Sequence, residues 1–255
     1  MVYSLQPGIL YGPIQSRRFG RSLGINLSPC SGKLCSFNCV YCHYGATQRL
    51  TTGDADAVGE LPSADLVLEV VESALQSWNE FEAVTFSGNG EPTLHPDFRE
   101  IARGVSELVE RHRPTLRTVL LSNSTTLARS EVRHALEFID LPVFKLDAGT
   151  PETFRAINRP ARGIRFDAVV DELTLLDGLI LQTLLIDGSP SNSTPAELDA
   201  YLKLIAWIAP SEVQLYSTDR PVAKSTVGRV PPSRLRDIAR EGMERTGITF
   251  RVFAA

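Results

Sequence analysis

The chain of 255 residues lacks any apolar run of the roughly 18–20 residues that a membrane-spanning helix needs. Its most apolar stretch, residues 179–186, is interrupted by Gln182 and Thr183 and reads as a buried strand. No basic segment followed by an apolar one stands near Met1, so secretion is not expected and the cytoplasm is. An excess of positive charge is also missing. Lys and Arg number 26 against 30 Asp and Glu, a net charge of −4. That balance argues against a dedicated nucleic-acid binder, though it leaves room for a local basic patch. Lysine is scarce, with arginine making up most of the positive charge, a bias read as genomic composition. The content of 43% hydrophobic and 22% charged residues excludes a disordered or fibrous chain.

The most uneven absence is cysteine. None occurs after Cys42, and all four, Cys30, Cys35, Cys39 and Cys42, stand in one short stretch. A disulfide scaffold would scatter them, because bridges staple distant parts of a small core. A cluster of this kind reads first as metal binding. Cys35-Ser-Phe-Asn-Cys39-Val-Tyr-Cys42 has the pattern C-x3-C-x2-C, and three thiolates so spaced on a tight loop can converge on three corners of one iron–sulfur cube. Three ligands leave one metal position open, as catalysis requires. A structural zinc site wants four ligands, and Cys30 or His43 could supply the fourth, so that reading stays open.

The alternation of patterns is that of an α/β protein. Strands are expected at 23–27, 83–86, 116–121, 143–146, 179–186, 213–216 and 249–253. Helices are expected at 64–78, from Asp97 to about 111, 130–138, 167–176, 195–207 with Thr194 as cap, and 232–246. Residues 46–62 read as a polar loop or lid. Strands alternating with helices imply parallel βαβ units, with functional residues at the strand C-termini. The cysteines, the Ser87–Glu91 segment, Ser122–Ser124, Lys145 and Asp147, Gln182 and Thr183, and Tyr216 all obey that rule.

The cysteine loop, with Tyr41 just before its last Cys, resembles that of the radical SAM superfamily. Val84-Thr-Phe-Ser-Gly-Asn-Gly-Glu-Pro92 resembles the superfamily's Gly-Gly-Glu segment, in the expected order after a helix and a strand. Tyr11-Gly-Pro-Ile-Gln-Ser-Arg-Arg18, Gly20–Asn26, Lys145-Leu-Asp-Ala148, Ile157-Asn-Arg-Pro160 and Asp219-Arg-Pro221 resemble one branch, the iron–sulfur oxidoreductases grouped with the tRNA wybutosine synthases. The wyosine enzymes of that branch carry a second cluster on further cysteines; here only Cys30 is spare, so the resemblance does not extend to wyosine chemistry.

The resemblance implies a partial (β/α)6 TIM-like barrel in a single domain, with residues 1–21 as an N-terminal extension and 22–255 as the barrel. It implies a [4Fe-4S] cluster on Cys35, Cys39 and Cys42 and S-adenosylmethionine as cosubstrate. Reductive cleavage would give a 5′-deoxyadenosyl radical that takes hydrogen from a small molecule, nucleotide or RNA base. Tyr41, the backbone of Ser87, Gly88, Asn89 and Gly90, and the bracing Glu91 are expected at the cofactor. Ser122 and Asn123 are expected at the ribose, Lys145 at the carboxylate with Asp147 beside it, and Thr183 and Tyr216 complete the set. Cys30 and His95 are the catalytic candidates. Arg17, Arg18, Arg21 and Arg49 could meet an anionic or nucleic-acid substrate, and Arg220 is another anion candidate. The implied electron donor is a flavodoxin or ferredoxin. Two other functions fit the same residues: a glycyl-radical enzyme activase acting on a partner protein, and a non-catalytic zinc or iron–sulfur binding protein.

Overall fold

The computed structural model describes residues 2–53, 61–77 and 80–254. The residues form two compact units: Leu5–Ser36 with Thr47–Val143, hereafter the first, and Met1–Ser4 with Phe37–Ala46 and Phe144–Ala255, the second.

In the first unit, β1 (Leu10–Ser16) runs antiparallel to β2 (Gly20–Ile25). Parallel pairing then joins β2 to β5 (Ala83–Phe86) and β5 to β6 (Arg117–Ser122). A separate pair, β3 (Leu34–Cys35) and β4 (Arg49–Leu50), is also parallel. Helices α1 (Ala64–Ser77), α2 (Phe98–His112) and α3 (Ser130–Ala135) fill the connections. α2 shows why these segments are helical. Phe98, Ile101, Ala102, Val105, Leu108 and Val109 recur at three- and four-residue spacing and all are buried. Burying each large one contributes about 1.5–3 kcal/mol. Asp97 opens the helix without a side-chain cap bond.

Strand β7 (Leu141–Lys145) crosses the division between the units. In the second unit, β8 (Ile180–Gly188), β9 (Glu212–Ser217) and β11 (Thr249–Val252) pair in parallel, and β10 (Val227–Arg229) lies antiparallel to β8. The helices are α4 (Pro151–Ile157), α5 (Phe166–Leu173), α6 (Pro195–Ile208) and α7 (Pro232–Thr246). Thr194 caps α6 as expected, its side chain accepting from the Glu197 N–H.

The elements differ locally from those expected. Strand β1 lies inside the stretch read as an extension. It carries Gly12-Pro13 at a register shift, with Gly12 at φ +96°. Gly-Pro reads as a breaker in sequence, yet both residues are tolerated at a bulge on an edge strand. The stretch read as a loop, 46–62, contains β4; its residues 54–60 lie outside the described residues, so the lid expectation does too. The helix expected to end at residue 78 is described only to Ser77. α4, with Thr150 as cap and Pro151 at its first position, was not expected.

Candidate functional site

Among the residues singled out in the sequence, the first unit holds Cys30, Cys35, Ser87–Glu91, His95, Ser122 and Asn123. Leu34 is gripped by the glycine segment: its N–H donates to the Asn89 carbonyl at 3.2 Å, and its carbonyl accepts from the Glu91 N–H at 3.1 Å. Gly90 makes that approach possible, since a Cβ there would stand 1.5 Å from the Leu34 carbonyl oxygen. Asn89 is buried, with its side chain bonded to both backbone groups of Gln6 and to the Pro29 carbonyl. The Ser87 hydroxyl meets the Tyr11 hydroxyl at 2.5 Å.

Glu91 braces the segment from within. Its carboxylate accepts from the Thr93 N–H and hydroxyl and, at 2.7 Å, from the Asn123 N–H at the end of β6. Burial raises its pKa, and those hydrogen bonds pull the other way. The Asn123 carboxamide is held at both ends. Its oxygen accepts from the Thr125 N–H and hydroxyl, and its Nδ2 donates to Ser36 Oγ at 2.8 Å and to Cys35 Sγ at 3.6 Å. Ser122 Oγ accepts from the Ser124 N–H.

His95 is buried with both ring nitrogens engaged: Nδ1 accepts from the Asp97 N–H at 3.1 Å, and Nε2 meets the Pro62 carbonyl at 2.9 Å. That pattern fixes the neutral tautomer with hydrogen on Nε2. Burial lowers its pKa. Cys30 is exposed. Arg17 and Arg21 are exposed, Arg18 and Arg49 half-buried, and Arg21 pairs with Glu80 at 2.8 Å.

The second unit holds Cys39, Tyr41, Cys42, Lys145, Asp147, Thr183 and Tyr216. The chain around the cysteines is held by the Ile157-Asn-Arg-Pro160 segment. Asn38 N–H donates to the carbonyls of Asn158 and Arg159, Val40 N–H donates to that of Ile157 at 3.0 Å, and Phe37 bridges Pro160. Arg159 adopts φ +47°, which turns the chain so that Asn158 is buried and Arg159 exposed. Val40 and Tyr41 pack with Ile157, Leu184, Ile186 and Val227, with Cys39 and Tyr216 against them.

Asp147 is the hub of this unit's polar network. One carboxylate oxygen accepts from the Leu184 N–H at 2.9 Å and pairs with Lys145 Nζ. The other accepts from the Tyr41 hydroxyl and, at 2.9 Å, from Asn158 Nδ2. Lys145 Nζ also donates to the Tyr216 hydroxyl at 2.9 Å and lies over the rings of Tyr41 and Tyr216. Burial works against the ammonium, but Asp147 and then Tyr216 outweigh it and raise its pKa. Burial, then Asp147 and Cys39, raise that of Tyr41 well above the ordinary phenol range. Gln182 donates to the Tyr216 hydroxyl at 2.5 Å. Thr183 is a core residue, bonded to the Leu146 carbonyl and the Tyr201 hydroxyl. Arg220 lies over the ring of Tyr3, and His43 Nδ1 meets the Pro221 carbonyl. Asn158 lies in the Ile157-Asn-Arg-Pro160 segment, and its contact with Cys39 Sγ, at 3.6 Å, is long-range and carries no local spacing signal.

Residues 31–190 match the family described as the radical SAM superfamily. The chain is 36% identical over 218 residues to the UPF0026 protein slr1464 of Synechocystis sp., a match covering 83% of this chain and 76% of that protein. Among solved structures it resembles TYW1 with a lysine-pyruvate adduct bound, at 17% identity and a TM-score of 0.58 over 88% of this chain and 73% of that one. It also resembles SuiB of Streptococcus suis bound to S-adenosylmethionine, at 13% identity and a TM-score of 0.63, over 90% of this chain and 50% of the longer SuiB. The two likenesses bear out the fold class, a partial TIM-like barrel. Among the described residues no helix is long and apolar enough to cross a membrane.

Proposed function

This chain belongs to the radical SAM superfamily, and from that premise we propose that Cys35, Cys39 and Cys42 hold the [4Fe-4S] cluster with which it acts on a small molecule, nucleotide or RNA base. It is an enzyme of the radical SAM type, and that superfamily works with a [4Fe-4S] cluster, S-adenosylmethionine and an external electron donor. A flavodoxin or ferredoxin fits the donor's part.

The residues present fit such a cluster. All four cysteines are unbridged, so the three thiols of the C-x3-C-x2-C loop are available as soft ligands. Among the described residues no three His, Cys, Asp or Glu side chains form a group arranged to hold a metal ion, so the fit rests on the chemistry and spacing of the thiols. Two of the sulfurs receive a carboxamide N–H, as a thiolate ligand would. The unbridged thiols, within the residues that match the family, are the observation that carries the reading.

When bound, the cluster supplies the single electron with which enzymes of this superfamily cleave S-adenosylmethionine. The chain's own residues bind and orient. The Ser87–Gly90 backbone, fixed by Asn89 and Glu91, offers carbonyls to the cosubstrate's amine. Lys145, kept charged by Asp147, offers a cation to its carboxylate, with Tyr41 and Tyr216 beside the lysine, and Ser122 and Asn123 are assigned to the ribose. Thr183 supports the strand beneath. Arg17, Arg18, Arg21 and Arg49 offer positive charge to a nucleotide or RNA substrate.

The test is reconstitution without oxygen, a count of iron and sulfide, and an assay for 5′-deoxyadenosine with S-adenosylmethionine and dithionite. One four-iron cluster with 5′-deoxyadenosine release, abolished in Cys39→Ala, is expected. Zinc in place of iron, or a cluster that never cleaves the cosubstrate, overturns the proposal.

A further inference from the structure

We propose that Asn158 and Asn123 are positioning residues for two of the cluster ligands, each donating its carboxamide N–H to a cysteine sulfur and so raising the reduction potential of the metal group held there. The inference rests on the proposed cluster site. Asn158 Nδ2 lies 3.6 Å from Cys39 Sγ, and Asn123 Nδ2 lies 3.6 Å from Cys35 Sγ. The two contacts form within different units, on residues far apart in the chain.

Neither carboxamide can be turned the other way. Asn158 Nδ2 faces three acceptors: the sulfur, the Tyr41 hydroxyl oxygen at 3.1 Å and the Asp147 carboxylate at 2.9 Å. Rotating the amide would set its oxygen against that carboxylate. The Asn158 Oδ1 is buried without a hydrogen-bond partner. A carboxamide that served only packing would have both ends satisfied. Here the oxygen is left unbonded while three acceptors share the two N–H groups, the Cys39 sulfur among them, so the amide faces the sulfur as a donor. Asn123 is fixed by Thr125 on its oxygen, which leaves Nδ2 to Ser36 and Cys35.

Hydrogen bonds to the sulfurs are among the features that set the potential of an iron–sulfur group. Reduction adds negative charge, and an N–H aimed at sulfur stabilises the reduced state more than the oxidised one. Removing either donor therefore makes reduction harder.

The experiment is a redox titration of the reconstituted full chain, followed by electron paramagnetic resonance, on the wild type, Asn158→Leu, Asn123→Leu and the double variant. Iron content and the melting temperature of each are measured alongside. Each single variant is expected to load iron and to shift the reduction equilibrium about tenfold against reduction, about 59 mV for one electron. The double variant is expected to shift further, since the two donors act on separate sulfurs. A loaded variant with the wild-type potential overturns the proposal, even where its melting temperature falls. If Asn158→Leu does not fold, Asn123→Leu decides alone, by the same criterion. A wild type that takes up no iron overturns the cluster reading itself, and this proposal with it.

Discussion

Lys145 Nζ lies 3.2 Å from Asp147 Oδ1, with the lysine side chain 14% and the aspartate side chain 0% exposed. Two residues apart at the end of a strand, they share a face. Breaking such a pair strands a buried charge, which costs roughly 3–5 kcal/mol. Lys145→Met and Asp147→Leu are each expected to lose stability of that order in chemical denaturation, and the double variant less than the sum. Because the folded pKa of Lys145 is raised, its contribution is complete below the unfolded lysine value near 10.4 and fades as pH rises through the folded one. The penalty of Lys145→Met should therefore be the same at about pH 7 and about pH 9. A penalty that shrinks over that interval would show that the ammonium is not held by Asp147.

Gly90→Ala is expected to destabilise by at least about 1–3 kcal/mol, because the added methyl meets the Leu34 carbonyl, which is backbone and cannot swing aside. Since Leu34 leads directly into Cys35, iron retained after reconstitution should fall as well. Gly32→Ala is the control: its nearest neighbour would be the Gln48 Cβ at 3.7 Å, an ordinary contact. It should stay within about 0.5 kcal/mol of wild type. Equal effects for the two would refute the steric argument.

His95 predicts a pH dependence of stability on the acid side. Its folded pKa lies below the usual 6.5 because burial disfavours the imidazolium. The unfolded chain thus binds the proton more readily. The contribution is complete above about 6.5 and is lost as pH falls through the folded value. Protonation would also set a second N–H against that of Asp97. In His95→Phe, melting temperatures between about pH 5 and about pH 7 should vary less steeply than in wild type. An unchanged slope would assign the acid sensitivity elsewhere, His43 being the other histidine with a lowered value.

Tyr41→Phe keeps the ring that packs on Val40, Ile157 and Leu184 and removes the hydroxyl that donates to Asp147. A loss of about 1.5–3 kcal/mol is expected from a hydrogen bond to a charged group. In Asp147→Asn the same hydroxyl substitution should cost less, which a double-mutant cycle measures directly.

Much of this arrangement was legible because it is local. The apolar spacing of α2, the Thr194 cap and the run of cysteines each lie within a few consecutive residues. β1 was missed because Gly12-Pro13 signals a break until a neighbouring strand turns it into a bulge. α4 was missed because its cap and proline flank only seven residues. The role of Glu91 as a brace was readable from its place after the glycines, but its partner Asn123 was not: that contact depends on β5 and β6 lying side by side. Asn158 was the least legible. No spacing rule relates it to Cys39, and only folding brings the amide to the sulfur.

The Cys35–Cys42 stretch is split in its allegiance. Ser36 ends one part of the first unit, and Phe37–Ala46 belongs with Phe144–Ala255. No single cut in the chain can therefore release either unit whole. A truncated gene stopping at Val143 would encode every cysteine, yet Asn38 and Val40 would lose the backbone partners that Ile157–Arg159 supply. Ile157–Arg159, far later in the chain than Cys39 and Cys42, are thus needed to shape the loop that carries those two cysteines, and a defect placed there would be felt at the sulfurs without touching them.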